Sequence, residues 1–417
     1  MRSVWPSEVR GSVGVPSSKS AVQRLLAIGL LTEGTSEVAG VTLCDDVLAT
    51  IEAVRALGAE VRIDGHDIRI RGPGRPRPAE VPCRESGLCL RMMTPVAALV
   101  EGTTRLVAEG SLRSRPVADI VGPLEALGAR CGTSGGLPPV TVSGPMEGGA
   151  AEISGRRTSQ FVTGLLIALP RAPADSILRV DGLRSAPYVE MTIDLLGQAG
   201  ARISRDGLER FVIPGSQAYV PRRWTAEGDW SGAAFLLAAG ALAGEVRLRG
   251  LSPSSLQGDR AVVEALAMAG AEVAWDGEEL LCRRGSLRPF SFDATHCPDL
   301  VPPLAAVAAC APGVSVLRGS DRLHHKESDR VAALREAFGS LGIDVREEGD
   351  VLRIAGGRPA SGRVRTRGDH RIAMAAAVLG IAASGPVLLD DPGCVAKSYP
   401  GFFADLSSLG VRTEEVP

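Results

Sequence analysis

The sequence predicts an α/β protein assembled from six copies of one βαβαββ unit, three to a domain, and two observations carry that expectation. The first is a ladder of glycines. Gly58, Gly128, Gly200, Gly270, Gly342 and Gly410 each close an amphipathic helical pattern and recur at intervals of roughly 70 residues, the mark of an internal repeat. Gly65, Gly135, Gly207, Gly277 and Gly349 each stand seven residues further on. With 50 glycines in 417 residues, five such coincidences arise by chance roughly 2 times in 100,000. The second observation is that every copy also carries an earlier, almost wholly apolar helix that is polar only where it begins.

Repeat five shows the elements most plainly. After the polar run Ser320 to Arg330, Val331, Leu334, Phe338 and Leu341 recur at helical spacing and Gly342 stops the helix. Strands around Val345 and Leu352 then turn at Gly349. The apolar helices open, in order, at Pro16-Ser17-Ser18-Lys19-Ser20, Glu85-Ser86-Gly87, Thr158-Ser159-Gln160, Asp229-Trp230-Ser231, Pro298-Asp299 and Asp369-His370-Arg371. Strands follow them at Arg105 to Ala108, Ile177 to Val180, Val246 to Leu248, Val314 to Leu317 and Val387 to Leu389. The sixth copy would turn at position 417, so it lacks a strand, and the segment Val4 to Val13 is expected to supply it. The repeat pattern is interrupted between Tyr219 and Glu227, at Pro221 and two arginines. The expected domains are therefore residues 14–226, and residues 1–13 with 227–417, joined by two crossings that act as a hinge, with the active site in the cleft between them.

Composition narrows the function. A hydrophobic content of 45% supplies two cores, and a net charge of −2 argues against a nucleic-acid partner. No apolar signal core follows Met1, and the longest apolar runs are broken by proline or glycine, so no export or membrane span is expected. The eight cysteines form no CxxC pair and the five histidines add no ligand spacing, which points to a reducing cytoplasm and to no metal or cofactor.

The repeats suggest a chemistry. Buried helices that begin at equivalent points aim their N-termini alike, and each terminus offers unpaired N–H groups with roughly half a positive charge. Bundled termini form an anion site. Lys19, Arg24, Arg91, Arg115, Lys326, Arg330, Arg371 and Lys397 cluster at these ends and in the adjoining loops. Of 46 basic residues only Lys19, Lys326 and Lys397 are lysine, so these positions call for a compact ammonium that can release its proton. Asp299, at the opening of a buried helix, is either a plain cap or catalytic, and Glu327 is either a helix-end ion pair or catalytic. His324 and His325 read as loop solvation, and Cys394 as packing.

Together, Pro16-Ser17-Ser18-Lys19-Ser20 with Arg24, Arg113-Ser114-Arg115-Pro116, Thr158-Ser159-Gln160-Phe161, Lys326-Glu327-Ser328-Asp329-Arg330, Asp369-His370-Arg371 and Ala396-Lys397 resemble the 5-enolpyruvylshikimate-3-phosphate synthases, of the enolpyruvyl transferase family. The resemblance spans nearly the whole chain. It implies an inverted α/β pseudo-barrel in each domain, closing around shikimate 3-phosphate and phosphoenolpyruvate, and a cytoplasmic monomer of the shikimate pathway. Lys19, Ser20, Arg24, Thr158, Ser159, Gln160, Ser185, Asp299, Arg322 and Lys326 would hold shikimate 3-phosphate. Lys19, Glu85, Gly87, Arg115, Gln160, Arg330, Arg371 and Lys397 would hold phosphoenolpyruvate. Asp299 would take the proton of the attacking hydroxyl, Glu327 would protonate the methylene, and Lys19 would assist. Two positions depart from the family pattern, Glu85 and Arg322, each where asparagine is usual, which bears on phosphoenolpyruvate affinity and on the response to glyphosate. Paired across the cleft, their charges would cancel. Two other readings stay open. One is a UDP-N-acetylglucosamine enolpyruvyl transferase, although the loop Glu109 to Arg115 lacks the cysteine of that pattern. The other is a degenerate, non-catalytic anion-binding relative.

Overall fold

The structure, a computed structural model, describes residues 1–416. Its strands form six four-stranded sheets, one to each repeat. Repeat two shows the plan in one continuous stretch. Glu80–Pro82 pairs in parallel with Gly102–Val107, which lies antiparallel to Leu137–Gly144, and that strand closes a hairpin with Arg130–Ser134. A parallel pair needs a crossover, and the buried helix Gly87–Ala97 supplies it. The outer helix Val121–Ala126 then leads into the hairpin. The glycines that end the outer helices have φ between +78° and +111°, and the five hairpin glycines between +55° and +62°. Residues with a Cβ are penalised in this left-handed region, by roughly 1–2 kcal/mol, which is why the ladder is glycine.

Two sheets borrow their first strand. Val9–Gly14, which precedes the buried helix of repeat one, pairs in parallel with Gly244–Arg249 of repeat four. Arg223–Thr225, which precedes the buried helix of repeat four, pairs in parallel with Glu33–Ala39 of repeat one. The expectation that the whole segment Val4 to Val13 completes repeat six is thereby corrected. Only Arg2–Val4 does so, lying antiparallel between Val387–Leu389 and Thr413–Glu415 in the place of the missing hairpin strand. Pro6 separates the two N-terminal strands; it has no N–H to continue a ladder, so the chain leaves one sheet and enters another.

The chain divides into two compact units, Ser17–Ala226, and Met1–Pro16 with Glu227 onward. In the first, the buried helices Lys19–Leu31, Gly87–Ala97 and Gln160–Ala168 pack on one another. In the second the same is true of Trp230–Ala243, Val301–Ala308 and His370–Ile381. These helices have no solvent face: Trp230 through Leu242 are buried, as are Ala21 through Leu31. Each fully buried Leu, Ile or Val contributes roughly 1.5–3 kcal/mol, so most polar side chains are kept toward the N-terminal ends. Among the described residues, no helix is long and apolar enough to cross a membrane.

Candidate active site

In the unit Ser17–Ala226 the N-terminal ends of the three buried helices converge. Gln23 Nε2 of the first donates to the Ser86 hydroxyl at the start of the second at 3.0 Å. Arg91 of the second donates to Gln160 Oε1 at the start of the third, also at 3.0 Å, and Arg24 reaches Thr163 of the third at 3.3 Å. The residues at these helix starts are serines. Ser18 and Ser86 accept from the N–H groups of Ala21 and Cys89, whereas Ser159 occupies the cap position without capping the helix. No acid sits in the first turns of these helices to offset their positive ends.

Arg24 is buried, and its guanidinium donates to Thr192 Oγ1 (2.9 Å), Thr163 Oγ1 and the carbonyls of Ser20 (2.7 Å) and Tyr188 (3.1 Å). All four acceptors are neutral, and among the described residues no carboxylate pairs with it. Burial pushes it down to about 10, with Tyr188 pulling the other way. Lys19 pairs with Asp46 at 2.7 Å. Arg115 is buried and lies directly over Gly87, where an added Cβ would stand 2.7 Å from Arg115 Nη1. Gly87 therefore has to be glycine for Arg115 to lie where it does. Ser185, buried at the start of the outer helix Ala186–Gln198, is held at φ +54°, ψ +41°. A non-glycine residue in that conformation stores roughly 1–2 kcal/mol, the kind of strain that collects at functional sites.

In the other unit the helix starts carry aspartates. Asp229 caps the first helix through the N–H groups of Ser231 and Gly232, and Asp369 accepts from Arg371 N–H at the start of the third. Asp299 lies in a 3₁₀ turn before Val301–Ala308 and makes no cap. Its two oxygens instead receive Arg330 Nη1 at 2.8 Å and Arg371 Nη2 at 2.9 Å, with Lys326 Nζ 3.6 Å away. Arg330, only 1% exposed, also binds Glu327 at 2.5 Å and Asp369 at 2.9 Å. Three cations and three carboxylates thus form one network.

The charges in that network set one another. Burial pushes the Asp299 carboxyl up, but Arg371, Lys326 and Arg330 together more than offset this and hold it well below the usual carboxylate range. Lys326 moves the other way: burial, with Arg322 and Arg330 adding repulsion, pushes its ammonium down to about 8 against the pull of Asp299 and Glu327. Behind the network lies Asp259, fully buried, its Oδ2 accepting from the Ser231 hydroxyl and its Oδ1 without a hydrogen-bond partner. Burial and the neighbouring Asp299 raise it to about 6, against the opposing pull of Arg371 and the Ser231 hydroxyl.

A sequence model of the EPSP synthase family (3-phosphoshikimate 1-carboxyvinyltransferase) matches residues 5–406. The chain belongs to that family. It is 40% identical over 417 residues to the 3-phosphoshikimate 1-carboxyvinyltransferase of Methanocella arvoryzae, covering 98% of each chain. It is 41% identical to that of Aeropyrum pernix, covering 99% of this chain and 96% of the other. Among solved structures, EPSP synthase from Acinetobacter baumannii superposes with a TM-score of 0.82 at 25% identity, covering 100% of both chains. The enolpyruvyl transferase NikO from Streptomyces tendae does so with a TM-score of 0.81 at 20% identity, covering 100% of this chain and 99% of that one; this is a likeness of fold alone. The fold is accordingly that of the two-domain enolpyruvyl transferases.

Of the residues singled out from the sequence, Asp299, Lys326, Glu327, Arg330 and Arg371 meet in one network. Lys19, Ser20, Arg24, Gly87, Ser159 and Gln160 lie at the starts of the buried helices in the other unit. Thr158 holds the Gln160 N–H at 3.2 Å, and Lys397 is buried at the end of the turn Pro392–Lys397. Glu85 and Arg322 each have a partner within their own unit: Glu85 accepts from the Ser111 hydroxyl at 3.0 Å, and Arg322 donates to the Thr295 carbonyl at 3.3 Å. The reading of His324 as loop solvation is corrected, because both its ring nitrogens face carboxylates. Asp259, Gln23 and Asp46 were not singled out. They sit in loops or on helix faces whose pattern is unremarkable, and only the convergence of the helix ends gives them a role.

Proposed function

We propose that this protein transfers the enolpyruvyl group of phosphoenolpyruvate to the 5-hydroxyl of shikimate 3-phosphate, releasing phosphate, as the 3-phosphoshikimate 1-carboxyvinyltransferase of the shikimate pathway. The observation that carries the chemistry is Asp299, kept ionised by Arg330, Arg371 and Lys326, with Glu327 on the other terminal nitrogen of the Arg330 guanidinium. An aspartate held so low is a poor base while the cations face it alone. When phosphoenolpyruvate brings its own anions to Arg330, Arg371 and Lys397, the cations are shared and Asp299 gains basicity as the substrate arrives. Asp299 then accepts the proton of the 5-hydroxyl and Glu327 protonates the methylene carbon. The tetrahedral adduct then breaks its C–O bond to phosphate while the newly formed methyl group returns a proton to Glu327, which restores the C=C bond.

Arg24, Ser20, Thr158, Ser159, Gln160, Ser185, Arg322 and Lys326 hold shikimate 3-phosphate in this reading. Lys19, Glu85, Gly87 and Arg115 contribute to the phosphoenolpyruvate site. Each unit supplies part of the set. The protein acts as a cytoplasmic monomer. The test is release of phosphate from phosphoenolpyruvate plus shikimate 3-phosphate, with UDP-N-acetylglucosamine as the control acceptor. Release with the control acceptor alone, or with neither, overturns the reading.

A further inference from the structure

The segment Asp321–Arg330 carries Arg322, Lys326, Glu327 and Arg330 and also holds His324, which none of the chemistry above uses. His324 Nδ1 stands 3.0 Å from Asp329 Oδ2, and Nε2 stands 2.8 Å from Glu347 Oε1. A neutral imidazole has one N–H, so it can satisfy only one of these carboxylates; the imidazolium satisfies both. Each partner belongs to a different element. Asp329 caps the outer helix Arg330–Gly339, its other oxygen accepting from Ala332 N–H at 3.0 Å. Glu347 lies on the hairpin strand Asp344–Glu348. One ring therefore ties the loop, the helix start and the hairpin of repeat five together, two residues before Lys326.

We propose that the His324 imidazolium is a clasp that positions the loop bearing Lys326 and Glu327, and that loss of its proton as pH rises slackens the loop and lowers turnover. The activity part rests on the function proposed above; the structural part does not. The hydrogen bond to Asp329, opposed by partial burial and helped by Glu347, holds the ring above its ordinary value. A base raised in this way contributes fully below its unfolded value of about 6.5 and loses that contribution as pH rises through the folded value. The charged groups that face the ring are Asp329 from the helix and Glu347 from the strand. Lys326 also sheds its proton on the alkaline side, at about 8, so an alkaline fall in rate does not by itself identify His324. Glu347→Gln weakens the clasp without touching Lys326.

The chain has five histidines, few enough for the His324 ring resonance to be assigned by its loss in His324→Gln. In the wild type the ring is expected to titrate above its ordinary value. Over the same interval, amide protection of residues 321–329 should fall, and kcat/KM for shikimate 3-phosphate should drop by about two- to tenfold, as two half-exposed ion pairs allow. Glu347→Gln should shift all three changes to lower pH while keeping the wild-type rate at pH 6. A ring that titrates at its ordinary value overturns the clasp. So does a protection and activity profile that stays in place when the ring titration moves. If even the wild type releases no phosphate, the proposed function fails, and titration and amide protection still decide whether the clasp exists.

Discussion

The starts of the buried helices are built differently in the two units. In Ser17–Ala226 they carry Ser18, Ser86 and Ser159, and the cation at their centre, Arg24, is buried among neutral oxygens. In the other unit Asp229, Asp299 and Asp369 occupy the corresponding places, and Arg330 is shared among three carboxylates. A serine hydroxyl satisfies backbone N–H groups without neutralising the helix end; an aspartate does both. The first arrangement is ready to receive a ligand's negative charge. The second is balanced within itself, and the proposed function has its carboxylates, Asp299 and Glu327, moving protons. Serine near the helix starts of one unit and aspartate near those of the other thus give the same repeat two different local charges.

The sharpest test of that division is Asp299→Asn, which keeps the shape and removes the base. It is expected to lower kcat by about a thousandfold while shikimate 3-phosphate still binds, as read by phosphate release and calorimetry. Activity within tenfold of wild type would remove proton transfer from this unit.

The next test sets the two buried arginines against each other in denaturant unfolding. Arg330→Met takes one cation from Asp299, Glu327 and Asp369 at once and should cost about 3–5 kcal/mol of stability. Arg24→Met strands no charge and should cost less than about 2 kcal/mol, yet weaken shikimate 3-phosphate binding by about 10- to 100-fold. Equal losses of stability would erase the contrast.

Gly87→Ala probes the receptive unit more gently, since the new Cβ meets the Arg115 guanidinium and must displace it. The KM for phosphoenolpyruvate should rise by about tenfold with the fold intact, corresponding to roughly 1.4 kcal/mol. An unchanged KM would show that Arg115 does not bind that substrate.

The smallest effect is expected at Asp259, the extra buried carboxylate of the acidic unit. Its folded value of about 6 lies above that of an unfolded aspartate, so the folded state holds its proton more tightly, and stability from this group is lost as pH rises from about 4 to 6. Asp259→Asn should therefore raise stability at pH 7 by about 1 kcal/mol and leave it unchanged near pH 4. A melting profile parallel to wild type across that range would mean that Asp259 carries no such cost.

What the amino-acid sequence determined by itself was whatever depends on neighbours along the chain. Glycines at Gly58 and Gly65 and their repeats are dictated by local backbone angles, and the all-apolar helices by composition, so six units and the residues at their helix starts were legible without coordinates. The segment Val9–Gly14 was misplaced because nothing within it names its partner; the parallel strand it joins begins at Gly244. Asp299 showed the same limit: beside Pro298 it reads as a cap or a catalytic residue with equal ease. What excludes the cap is Arg330, 31 residues on, and Arg371, 72 residues on, which take its two oxygens. A half-buried carboxylate takes the charge that packing brings to it, and only the convergence of three helix ends brings those two guanidinium groups to one aspartate.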